Sequence, residues 1–78
     1  MGKIRWTNGY LGQWHGYVNG DKRHKYFVGY EQRGKPMIAD VRPNPETNLM
    51  WEGIDILIAS VEDGFAWCEM VEATGAYD

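Results

Sequence analysis

Few side chains in this sequence are able to act on a substrate or a metal. His15 and His24 are its two histidines and Cys68 its single cysteine in 78 residues. A thiolate beside an imidazole makes a nucleophile and base, and two imidazoles with a thiolate begin a zinc site, but both chemistries carry spacings that these three residues lack. His24 lies inside the run Lys22-Arg23-His24-Lys25, which reads as a solvated basic turn. Cys68 falls on the apolar side of a predicted helix, where a small core residue is expected. Asp55 and Glu62 are candidates for an acid and base pair, yet nothing in the pattern gathers them into a pocket. The sequence contains no phosphate loop, no His-Glu-x-x-His and no Gly-x-Ser-x-Gly. The expectation is a protein with no catalytic activity, metal site or cofactor.

What remains is binding, and charge organises it. The net charge is -3, from eight Lys plus Arg against eleven Asp plus Glu. All eight cations lie in residues 1–42 with only Asp21, Glu31 and Asp40 against them, a local net of +5. The remaining 36 residues hold eight carboxylates and no Lys or Arg, a local net of -8. Such asymmetry marks surfaces that meet something charged, either a partner, another copy of the chain, or each other. A charged fraction of 24% with 14% aromatics is too apolar for a disordered chain, and one cysteine excludes a disulfide framework. The length allows one domain, residues 1–78, with a thin core. No apolar run approaches the ~18 residues of a membrane span and no signal-peptide pattern is present, so an intracellular protein without a membrane partner is expected.

These side chains need elements to hold them. Asn8-Gly9, Asn19-Gly20-Asp21 and, more weakly, Arg33-Gly34 are turn signals that cut the basic half into pieces of strand length, about residues 3–6, 10–18, 24–32 and 36–42. Alternation puts Ile4 with Trp6, Tyr26 with Val28 and Tyr30, and Met37 with Ala39 and Val41 on the core face. The other face then shows Lys3, Arg5, Lys25, Phe27, Glu31, Asp40 and Arg42. Piece 10–18 is ambiguous, because Tyr10, Trp14 and Val18 compete with Leu11, His15 and Tyr17, and its glycines indicate a bulge or a close backbone approach. Residues 43–53, with Pro43-Asn44-Pro45, read as a loop. Beyond it, Ile54, Ile56 and Ile58 predict a strand over 54–59, and Ser60 with Asp63 resembles a capping box opening a helix over 61–73. Glu62 and Asp63 suit its first turn, and Val61, Phe65, Cys68 and Val71 form its apolar stripe. The alternative is one longer helix starting near Pro45, disfavoured by its isoleucines and by Gly53 and Gly64 in its interior. The expected fold is α+β, an antiparallel sheet of three to five strands packed against one C-terminal helix.

Two binding surfaces follow. For a protein partner the candidates are Phe27, Trp51, Trp67 and Met70, large side chains that a thin core leaves near the surface, with Glu62 and Glu69 on the acidic helix. For nucleic acid the candidates are Lys3, Arg5, Lys22, Arg23, Lys25 and Arg42 around Phe27, a basic aromatic face suited to phosphates and base stacking. The second strand carries no guanidinium to read a guanine edge, and the protein partner is therefore preferred. Self-association through the opposite charges is a further possibility.

Tyr10, Gly12, Trp14, the turn at Asn19-Gly20 and Ser60-Val61-Glu62-Asp63 leading to Ala66 loosely resemble the plant ethylene-response-factor and integrase arm-type DNA-binding domains, in which a three-stranded sheet enters the major groove. Ile4-Arg5-Trp6, Gly16-Tyr17-Val18-Asn19-Gly20, Ala59-Ser60-Val61-Glu62-Asp63 and Ala66-Trp67-Cys68-Glu69 look more like small accessory proteins of tailed phages, a Trp- and Gly-rich β-meander ending in a helix. That resemblance spans most of the chain. It implies a non-catalytic protein that binds a host or phage component in the host cytoplasm.

Overall fold

The computed structural model describes residues 4–9, 12–18, 20, 22–42 and 54–76. Among them the chain forms strands β1 (Ile4–Asn8), β2 (Trp14–Val18), β3 (Tyr26–Tyr30), β4 (Met37–Val41) and β5 (Ile54–Leu57), then helix α1 (Val61–Thr74). Each strand pairs antiparallel with the next, in the order β1-β2-β3-β4-β5. This is the α+β meander with a C-terminal helix that turn spacing and alternation predict. The long-helix alternative fails because residues 54–57 are the edge strand β5, where alternating Ile54 and Ile56 pair with Val41 and Ala39. The predicted loop 43–53 lies outside the described residues.

Register assigns the faces. Ile4 pairs with Val18, Trp14 with Val28, Val28 with Ala39, and Tyr26 with Val41, and these side chains meet Cys68 and Val71 of α1 in the buried core. Phe65 lies between two indoles, 4.6 Å from Trp6 and 5.4 Å from Trp14 by ring centroids, the second edge-on as aromatic quadrupoles favour. The ambiguity of β2 is resolved by Gly16. A Cβ there would lie 2.6 Å from Ile4 Cγ2 and 2.9 Å from the Trp6 ring, so this glycine makes the room in which Trp6 folds over the sheet. Trp14 and Val18 share its side, and His15 and Tyr17 go to the other. Tyr30 departs from expectation. Although in phase with Val28, it ends β3 beyond the reach of the helix and is 46% exposed. The Asn8-Gly9 signal marks a hairpin, but one with a five-residue connection. Gly9 N–H donates to Gln13 O at 2.6 Å and Gly12 adopts the left-handed conformation.

Ser60 starts α1 as the sequence indicates. Its extended backbone and its Oγ, which accepts from the Asp63 N–H at 3.1 Å, satisfy one of the free donors of the first turn. Gly75 ends the helix in the left-handed conformation, donating to Val71 O at 2.9 Å. Gly64, unfavourable by propensity, is buried where α1 packs tightly on the sheet. A Cβ would stand 2.7 Å from both Val28 Cγ1 and Ile58 Cδ1.

Candidate functional site

One helix covers one face, so the other face of the sheet is uncovered among the described residues. Alternation carries Arg5 and Thr7 of β1, His15 and Tyr17 of β2, Phe27 of β3, Ile38 and Asp40 of β4, and Asp55 and Leu57 of β5 onto it. Successive pairings align Thr7, His15, Phe27, Asp40 and Asp55 into one row across all five strands. Rings extend the row sideways. The His15 centroid is 5.6 Å from Phe27 and 4.5 Å from His24, and His24 is 6.2 Å from Tyr17, over which the Arg5 guanidinium sits at 4.9 Å. A half-buried aromatic path thus runs from a cation at β1 to a pair of carboxylates at β4 and β5.

A cup of about 320 Å³ opens on this face, lined by Gln13, His15, His24, Phe27, Glu31, Gln32, Asp40 and Arg42. Its electrostatics follow from partial burial. Burial, then Arg42, then His15 hold His24 down at about 4, and burial and Arg42 lower His15 as well. Both imidazoles are therefore neutral at pH 7. Asp40 is raised to about 6, first by burial and then by Asp55, with Glu31 adding to the rise and Arg42 and the Val41 N–H opposing it. Among the described residues no donor reaches Asp40 Oδ1, which is buried. Three or more potential metal ligands gather nowhere among the described residues. A larger hollow of about 550 Å³ at the β3–β4 turn is lined by Tyr30, Arg33, Gly34, Lys35 and Pro36, all exposed, and brings no such groups together.

The residues singled out from the sequence are distributed unevenly. Phe27, Arg5 and Arg42 do share the uncovered face, Phe27 and Arg42 half-buried at the cup, and Lys22 and Arg23 are exposed just before His24. Lys25 is a correction. Lys25 N–H donates to Gly16 O at 2.8 Å beside the Gly16–Tyr26 pair, so two residues oppose one glycine as in a β-bulge, and the Lys25 side chain turns under the helix to Glu72. Trp67 is a second correction. It is half-buried and packs on the core, because an indole at the edge of the apolar arc is wide enough to reach the sheet. Met70 and Glu62 are exposed on the outer side of α1 and Glu69 is half-buried there, so Phe27 lies across the molecule from them. Lys3 and Trp51 lie outside the described residues. His24 is not a freely solvated turn residue but is half-buried, with its ring edge-on to His15. Leu57, 73% exposed, was missed as a site residue, and Asp55, considered only with Glu62 as an acid and base, lies instead beside Asp40, because the pairing of β5 depends on a long connection.

The fold and this face together define a small α+β domain with a one-sided five-stranded meander and a half-buried aromatic row. No family model, no curated protein and no solved structure matches the chain. No helix among the described residues is long and apolar enough to cross a membrane.

Proposed function

We propose that this chain is a small non-catalytic binding module that recognises a protein partner with the uncovered face of its sheet. The observation that carries this reading is the mixed character of the five-strand row. Neutral rings stand beside Asp40 and Asp55 in cross-strand register, with Leu57 exposed at the edge. A protein surface offers apolar, cationic and donor groups to match each part, whereas a polyanion meets two carboxylates in the same row. The resemblance to small tailed-phage proteins supports a host or phage component as the partner. A single-stranded nucleic acid is the second reading, favoured by the path from Arg5 through Tyr17, His24, His15 and Phe27, with Lys22, Arg23 and Arg42 beside it.

Photocrosslinking tests the two. Benzoylphenylalanine at position 7, exposed on the uncovered face, is expected to trap one protein from a host lysate, and the same group at position 66 on α1 to trap none. Tyr17→Ala should abolish capture and Met70→Ala preserve it. The opposite pattern defeats the proposal, as does tight, steeply salt-dependent binding of mixed-sequence DNA or RNA at about 50 mM salt.

A further inference from the structure

The cup has a composition that selects among ligands. Glu31 and Asp40 bring two carboxylates and Arg42 one cation, the imidazoles being neutral, so the lining carries a net -1. Asp55, paired with Asp40, adds a further negative charge next to it. The wall is aromatic, with Phe27 edge-on to His15. Asp40 Oδ1 lacks a donor among the described residues. Asp40 is itself a lining residue of the cup, so its carboxylate borders the cavity. The complement of such a site is a planar cation with several N–H groups. It would lie against an aromatic face while donating to a carboxylate in two parallel bonds, the geometry of a guanidinium and not of an ammonium.

We propose that the cup receives an arginine side chain of the partner protein, its guanidinium lying against Phe27 and pairing with Asp40. This rests on the reading of the uncovered face as a protein-docking surface and names its anchor. Arg5 over Tyr17 is the same kind of contact made within the chain. Gln13 and Gln32 at the rim supply amide carbonyls for the outward-facing N–H groups.

The probe is N-acetyl-arginine methylamide, titrated against the isotope-labelled protein by NMR, with the neutral isostere N-acetyl-citrulline methylamide beside it. The arginine compound should shift the amides of His15, Phe27 and Asp40 with a dissociation constant of about 1–10 mM, and citrulline should bind at least about tenfold more weakly. The isosteric Asp40→Asn should weaken arginine binding about tenfold or more while its spectrum remains that of a folded domain. Equal binding of the two compounds, shifts confined to residues outside the cup, or shifts produced by a short single-stranded DNA and not by arginine would each overturn the proposal. Captured partner separates the two levels. Retention by Asp40→Asn with loss in Tyr17→Ala defeats the arginine anchor and leaves the docking face standing, whereas retention by both defeats both.

Discussion

Lys25 Nζ lies 3.3 Å from Glu72 Oε1, a pair separated by 47 residues and nearly enclosed, with side chains 10% and 13% exposed. The Tyr26 hydroxyl donates to the same oxygen at 2.7 Å. Glu72 stands near the C-terminal end of α1, where the helix dipole disfavours a carboxylate and no basic residue occupies the last turn. The bulge opposite Gly16 supplies what the helix lacks, turning Lys25 and the first residue of β3, Tyr26, to the same carboxylate oxygen. Basic half and acidic half are here joined inside the molecule.

Removing one member of this trio should be far worse than removing the charges together. Glu72→Met removes the carboxylate that Lys25 and the Tyr26 hydroxyl share and should destabilise the domain by about 3 kcal/mol, while Lys25→Met added to Glu72→Met should recover part of that. Thermal melts of both singles and the double give the coupling. Simple additivity would show that the pair is not coupled.

Asp40 and His24 should nearly cancel in the pH dependence of stability. Asp40 binds its proton more tightly folded, at about 6 against 3.8, so its contribution makes stability fall as pH rises across that interval. His24 binds its proton more weakly folded, at about 4 against 6.5, so its contribution makes stability rise with pH across nearly the same interval. Each is worth about 1–2 kcal/mol once solvent access to these half-buried groups is allowed for. Relative to the parent, Asp40→Asn should lose stability as pH falls from 6.5 to 4, and His24→Gln should gain it from 6 to 4. Urea titrations at four or five pH values check this. Parallel curves for parent and variants would refute it.

Gly64→Ala should destabilise despite replacing glycine in a helix. Propensity favours alanine by about 1 kcal/mol, but the new methyl group would meet Val28 Cγ1 and Ile58 Cδ1 at 2.7 Å, and a β-branched valine in the sheet centre has little freedom to yield. A net loss of about 1–2 kcal/mol is expected from denaturant unfolding, and a stabilised variant would mean that α1 can lift away at little cost.

Cys68 should be inert while the domain is folded. It is fully buried, and burial, with smaller pushes from Glu69 and Asp40, takes its thiol up to about 12. Iodoacetamide should label it only as fast as the protein unfolds, with the rate rising in denaturant. Rapid labelling in buffer would contradict the core position.

Much of the fold was determined by the sequence itself. Alternation in β3, β4 and β5, the capping residues around Ser60 and the stripe of α1 are local signals. They recur at the period of the element they form, so they fix element type and most faces without knowledge of neighbours. They also put Phe27, Asp40 and Arg5 on one side of the sheet. The tertiary structure alone decided the rest, because each remaining question concerned a distance between remote residues. Which face of β2 is covered depended on whether Trp6 could fold over Gly16. Lys25, outward by strict alternation, was turned to Glu72 by one extra residue opposite that same glycine. Trp67 was drawn to the core by the distance between helix and sheet. Asp40 became unusual through its burial in the folded sheet and then through Asp55, which β5 placed beside it in a register set across a connection whose length carries no pairing information.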